Sequence, residues 1–352
     1  MAQGSWPTLA DLTSRMDGAG KQAYIAEMLS QSVVMFDDMP MKEGSEIGGH
    51  SFVFRTSIPT GAWRSYNMGT PYGKSTTGKA QVGIGALEGY SQIDRMLAED
   101  SGNVAQFRMN EDVAFIEGMG QTMEETAWYG NTTTNPSEFM GLSPFYNTLT
   151  QASAQNAQNV IDGGGTGSSN ASLWLVCWGE RSVYGVYPRG SKAGLTSEDK
   201  GDVVPGLDSV GNRFEAYTTW FRHQAAIVPE DWRFAARVAN LDVTTAGLAG
   251  ASGPDLFLLM SQAVLLPPTL GQTISGLGKV DAPTDPSPGV RPVFYCNRTV
   301  RFWMDAQGMR NRNVLLTVND AAGKPQDVFR GIPVKVSDRL LINEAAVSES
   351  RL

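Results

Sequence analysis

Two histidines, His50 and His223, are the chain's whole supply of imidazole, the commonest general base and metal ligand. Neither stands in a ligand spacing such as HExxH, and Cys177 and Cys296 form no CxxC pair. A nucleophile elbow GxSxG is missing. His223 sits between Arg222 and Gln224 in a strand-like run and reads as structural; a hydrolase using it with a Ser or Asp is the rival reading. The stretch Gly69-Thr-Pro-Tyr-Gly73-Lys74-Ser75-Thr76 resembles a phosphate-binding loop. Met68, however, holds the place of the first glycine, and no helix follows to aim its N-terminus at a phosphate. The glycine run 163–167 has no lysine and no acidic residue placed for a dinucleotide. No catalytic residue, cofactor site or metal site is expected.

Charge segregation is the stronger chemical signal. From Ser51 to Gly85 there is no acidic residue, while Arg55, Arg64, Lys74 and Lys79 are basic. Acid then returns at Glu88, Asp94, Glu99 and Asp100, followed by a segment carrying Glu111, Glu117 and Glu125. Opposite potentials of this kind fix docking and register more than they add affinity. The basic set, with Trp63, and the three glutamates are therefore candidates for a docking contact; the resemblance given below implies that this contact lies between subunits. The net charge of −8 argues against sequence-specific nucleic-acid binding by the chain as a whole.

The elements that must carry these residues are legible in outline. The segment from about Val104 to Gly130 has a sustained helical period: Val113, Ile116, Gly120, Met123 and Ala127 fall at steps of three and four. At ~1.5 Å per residue it spans roughly 38 Å. Gly130 is a plausible stop, and Asn110-Glu-Asp an acidic first turn if the continuous part begins there. The opposite face, Glu111, Ala114, Gly118, Gln121 and Glu125, asks for a partner. The basic segment reads as strand-like stretches SFVFRTSI, AWRSYNM and KSTTGKAQVGI separated by turns, a long projecting two-stranded ribbon with Trp63-Arg64 at its base and a Gly/Thr/Ser-rich return, which must lie on something. Residues 20–38 suggest a short amphipathic helix, and Leu173 to Trp178 a strand buried on both faces. Further strands are expected at 184–187, 214–221, 225–229 and 232–241, with a helix over 253–266. The last part adds a strand at 293–295, a helix at 299–309, strands at 313–318 and 328–336 around a turn at 321–325, and a closing segment at 338–343. These return strands are expected to pair beside the long helix.

At 352 residues, 41% hydrophobic, 18% charged and with 39 glycines, the chain suits a turn-rich fold with broad buried surfaces. Two cysteines point to a reducing compartment, and the start lacks the apolar core of a secretory signal. The most apolar run, Leu256 to Leu266, is about half the ~20 residues of a membrane span.

Several segments, in their order, resemble one branch of the tailed-bacteriophage major capsid proteins, whose architecture is the Hong Kong 97 fold. They are EMLSQSVVMFDDMPMKEG (27–44), FIEGMGQTMEETAWYGN (115–131), VIDGGGTGSSNASLWLVCWGERSVYGVYPRGSKAGL (160–195), PEDWRFAARVANLD (229–242) and GIPVKVSDRLLINE (331–344). The resemblance implies an α+β capsid fold: an N-arm (1–47), an E-loop ribbon (48–85) and a P domain (86–142) with a spine helix over about 104–130. An A domain (143–290) and P-domain return strands (291–352) would complete it. It implies a non-enzymatic shell protein, assembled as hexamers and pentamers around double-stranded DNA, in the virion after assembly in the host cytoplasm. A separate scaffolding protein, a portal and a cementing or decoration protein are the implied partners, with no membrane. In that family the E-loop lies across a neighbour's P domain, and a minority cross-link a lysine there; Lys74 and Lys79 occupy that region. A virion decoration or adhesion module is the other alternative.

Overall fold

The computed structural model describes residues 7, 33–46, 48–152, 154–201, 204–207, 211–244, 248, 253–268, 289–310, 316–321 and 324–347. In chain order the elements are α1 (Met35–Asp38), β1 (Met41–Glu43), β2 (Gly49–Ser57), β3 (Thr76–Gly83), β4 (Gly85–Asp94), α2 (Arg95–Asp100) and α3 (Val104–Tyr129). There follow α4 (Leu142–Phe145), β5 (Val160–Asp162), β6 (Asn170–Trp178), β7 (Val183–Tyr187), β8 (Leu195–Asp199), β9 (Val204–Leu207) and β10 (Arg213–Pro229). The remainder are β11 (Ala235–Asp242), α5 (Leu256–Leu265), β12 (Arg291–Cys296), α6 (Arg298–Arg310), β13 (Leu316–Ala321), β14 (Lys324–Phe329) and β15 (Ile332–Val336).

Thirteen strands form one sheet whose main path runs β13-β14-β15-β12-β6-β7-β10-β4. At its centre β6 is buried at every residue, because β12 and β11 flank it and apolar layers cover both faces. The ladder from β6 to β12 joins residues on either side of position 290 in the same sheet. β10 is a single 17-residue strand where two were expected: its first part pairs with β4, β8 and β9, its last with β7. The core is aromatic. Trp128 meets Trp174 and Tyr295 at centroid distances of 5.7 and 5.4 Å, and the Trp178 indole N–H donates to Tyr295 Oη at 2.8 Å.

The long helix keeps its expected bounds but starts on a different signal. Asn103 caps it, its side chain accepting from the Gln106 N–H at 3.2 Å, so the acidic turn at Asn110 lies well inside. Gly130 ends it, though not by a left-handed turn: its φ is −49°, and a Cβ there would lie 2.5 Å from the Phe139 carbonyl oxygen. Glycine is required by close approach. Phe115 stacks on Phe221 of β10, and Arg108 lies over Tyr217, so β4 and β10 form the floor under the helix.

Three other expectations change. AWRSYNM is not a strand; β2 and β3 pair with each other, and residues 58–75 form the tip beyond their last rung, with no third strand alongside. The run 328–336 contains a second turn, Arg330 and Gly331 both at positive φ (51° and 83°), as a two-residue hairpin of the primed type requires. A short turn at Trp232–Phe234 precedes β11, which begins at Ala235. The helix expected over 20–38 lies outside the described residues except for its end at α1.

Candidate inter-subunit surface

The ribbon is rooted by polar contacts at its base. Ser45 N–H donates to His50 Nδ1 at 3.2 Å, so the ring proton sits on Nε2, which meets Tyr184 Oη at 3.0 Å; that hydroxyl donates to Glu230 Oε2 at 2.8 Å. Burial pushes the His50 imidazole below its ordinary range; Lys42 adds to this, while Glu230 and Glu46 oppose it. Glu46 accepts from Gln81 at 2.7 Å and lies 3.7 Å from Lys79. Gly49 must be small because a Cβ would approach the Val82 carbonyl oxygen to 2.8 Å. The arm segment that supplies Ser45 and Glu46 is itself held by the β1–β7 ladder and by Gly44 N–H donating to Tyr187 at 2.8 Å.

Beyond the base, the ribbon stands clear of its own chain. Trp63, Tyr66 and Tyr72 are 106%, 99% and 106% exposed, and Ile58 is 76% exposed. Arg55, Arg64 and Lys74 are exposed and form no ion pair among the described residues. Lys79, by contrast, is at the root with Glu46. Trp63 and Arg64, expected at the ribbon's base, lie at its tip, beyond the last rung at Ser57 and Thr76, and Ile58, Tyr66 and Tyr72 were not singled out in the sequence at all.

The three glutamates of α3 do not share one environment. Glu125 pairs with Arg339 at 3.0 Å, and Arg339 also bonds Gln121. Glu117 accepts from Gln121 at 3.0 Å, while Glu111 is half-buried. The buried stripe of α3 differs from the expected one as well. Met123 and Ala127 are buried, but Val113 and Ile116 are 45% and 43% exposed. Phe107, Phe115 and Met119 pack the helix's first part instead, because the sheet lies beside that row.

Two polar clusters, one buried and one half-buried, also escaped the sequence. Arg237 donates to Glu344 at 2.7 Å, to Ser172 at 2.9 Å and to the Tyr146 carbonyl at 2.9 Å, while Tyr129 donates to Glu344 at 2.5 Å. Asp38 accepts from Tyr295 at 2.5 Å and Lys335 at 2.6 Å, tying the arm to the core. His223 lies against Phe36, ring centroids 5.5 Å apart, with no hydrogen bond to a Ser or Asp among the described residues. No group of three or more His, Cys, Asp or Glu among the described residues could hold a metal. Within those residues no helix is long and apolar enough to cross a membrane.

The family model described as Major capsid protein GP7 matches residues 17–348. Among solved structures, a chain of bacteriophage Epsilon15 is similar over 99% of both chains, with a TM-score of 0.74 and 26% identity. The capsid of bacteriophage JBD30 is similar over 94% of this chain and 98% of its own, with a TM-score of 0.49 and 11% identity. No curated protein matches the chain.

Proposed function

Since the chain belongs to the major capsid protein GP7 family and so forms a bacteriophage capsid shell in the Hong Kong 97 fold, we propose that its ribbon is what binds one copy to the next. The observation that carries this is the tip: four large side chains, Ile58, Trp63, Tyr66 and Tyr72, stand at 76% exposure or more on a segment with no carboxylate. A monomer gains nothing from holding such a surface in water, and an apolar patch of this kind marks an interaction site. Arg55, Arg64 and Lys74 steer it to an acidic neighbour, and Glu111, Glu117 and Glu125 belong to that neighbour's receiving side. Lys79 serves both the root and the contact. Each pair is weak, and repetition around a closed shell makes the sum strong.

In this reading residues 1–47 are the arm, 48–85 the E-loop, 86–142 and 291–352 the P domain with its spine helix, and 143–290 the A domain. The chain is a virion component built as hexamers and pentamers around double-stranded DNA. Assembly takes place in the host cytoplasm with a separate scaffolding protein and a portal, and cementing proteins join the finished shell. A structural role of this kind needs no catalysis. Size-exclusion chromatography and negative-stain microscopy of the expressed protein test it. Shells, tubes or capsomers are expected; a homogeneous monomer or dimer at every salt and scaffold condition would overturn it.

A further inference from the structure

The turn that feeds the ribbon is closed by the neutral form of His50. A backbone N–H can only donate, so the Ser45 N–H at 3.2 Å requires a bare lone pair on Nδ1 and leaves the ring proton on Nε2. Nε2–H donates to Tyr184 Oη of β7 at 3.0 Å, and that hydroxyl donates in turn to Glu230 at 2.8 Å. One ring therefore bridges the turn and the body. The other polar contacts at the root, Ser51 with Ser45 and both Gln81 and Lys79 with Glu46, stay within the ribbon and its turn. Both strands also cross the root at glycines that packing does not demand, since a Cβ at Gly48 or Gly83 would meet nothing within 4 Å. Glycine there gives the backbone freedom to swing.

We propose that His50 is a proton-operated lock on the ribbon's angle. With Nδ1 bare, the turn between β1 and β2 is closed and the ribbon is held at one inclination. A proton on Nδ1 sets N–H against N–H, the Ser45 bond is lost, and the root becomes a hinge at Gly48 and Gly83. The Nε2 bond is donated in either form, so the ring stays with Tyr184 and the turn is what comes free. Lys42 of β1, its ammonium 4.2 Å from the centre of the Tyr184 ring, opposes an imidazolium. Glu230, just past β10, and Glu46 of the turn favour one, and Lys79 of β3 lies 3.7 Å from Glu46. Burial outweighs them and leaves the ring below its ordinary 6.5. The locked state thus prefers the neutral ring, holds above pH 6.5 and gives way as pH falls through the lower locked-state value. The lever is long: β2 runs nine residues, so at ~3.4 Å per residue each ~10° of swing carries its far end about 5 Å. What the swing does to assembly rests on the reading of the ribbon as the element that joins copies; the lock does not.

Spin labels at Val53→Cys on the ribbon and Lys192→Cys on the body report the swing, because both positions are exposed and the native Cys177 and Cys296 are buried. Full-length labelled chain, diluted into unlabelled chain so that only distances within one copy are read, is measured by double electron–electron resonance at about pH 8 and about pH 5. A narrow distance distribution that shifts and broadens in acid is expected. His50→Asn cannot titrate and keeps an acceptor near the place of Nδ1, so its distribution should stay narrow at both pH values. His223, packed on Phe36, is the control, and His223→Gln should behave as wild type. A distribution unchanged by pH, or a shift that survives His50→Asn, overturns the lock. A readout that needs no variant at position 50 is the midpoint of the shift, which should coincide with the titration of the His50 imidazole followed by NMR; a clear separation of the two also overturns it. The concentration threshold for assembly, read by light scattering, should rise several-fold in acid for wild type and hold for His50→Asn. If the distances shift and the threshold does not, the lock stands and the reading of the ribbon as the joining element falls.

Discussion

Reversing two charges at the ribbon tip should raise the concentration needed for assembly without touching the fold. Arg64 and Lys74 are exposed and have no ion pair in their own chain among the described residues, so Arg64→Glu with Lys74→Glu should leave folding stability within ~0.5 kcal/mol. An exposed ion pair is worth about 0.2–1 kcal/mol, and reversal replaces that attraction with a repulsion of similar size. Two positions together therefore change one copy-to-copy contact by about 1–4 kcal/mol. At ~1.4 kcal/mol per tenfold, each contact weakens by roughly one to three decades, and the contact recurs at every subunit. Light scattering against protein concentration at low salt reads the threshold directly. It should rise at least tenfold, and the gap to wild type should narrow at ~1 M salt, where the screening length is only about 3 Å. An unchanged threshold at low salt, with the variant folded, would falsify electrostatic docking by the ribbon.

Three further outcomes concern the fold that holds the ribbon up. Glu344→Ala leaves Arg237 buried without its carboxylate, and loss of one partner from such a pair costs about 3–5 kcal/mol; denaturant unfolding should show it, with Arg237→Met and Glu344→Leu together restoring part of the loss. His50 and His223 are both held below their ordinary 6.5 by burial, so the fold favours their neutral forms. The unfolded chain then takes up protons first, and stability should decline as pH falls below 6.5, then level off beneath the folded values. Glu124, raised above 4.5 by burial, acts with the opposite sign, its contribution fading as pH climbs from there; thermal melts of His50→Gln and Glu124→Gln separate the two. Gly130→Ala should destabilise strongly, because its Cβ would meet backbone oxygens of Phe139 and Thr126 at 2.5 and 2.6 Å; a melting temperature equal to wild type would refute the close-approach account.

Local signals were read well and distant ones were not. Helix α3 was legible because a long 3.6-residue period and Gly130 lie within one stretch of chain, although its cap at Asn103 escaped the sequence. The ribbon was legible from a composition change together with its strand-like stretches and turns, and β6 from an unbroken apolar run. The Arg237–Glu344 pair was invisible for a physical reason: Glu344 finds its partners 107, 172 and 215 residues away. The turn at Arg330 was hidden because a non-glycine residue occupies its first positive-φ position. Val113 and Ile116 were misplaced because periodicity identifies a face and cannot say how much of it the same chain will cover.

That last point follows from where the return segment lands. Ser337 donates to Glu124 at 2.5 Å, Arg339 reaches Gln121 and Glu125, and Leu341 N–H donates to Tyr129 at 3.0 Å. All four contacts fall in the last third of α3, where Trp128 is also clamped between Trp174 and Tyr295. This third belongs to the fold, and a change there acts first on stability. The stretch from Met109 to Gly120 rests on β4 and β10 through Phe115, Met119 and the Thr219 hydroxyl donating to Asp112 at 3.3 Å, with Met109, Val113 and Ile116 exposed. A bulky or charged residue at those exposed positions should therefore act on assembly before it acts on folding. One helix thus carries two separable sets of mutational phenotypes, divided near Gly120.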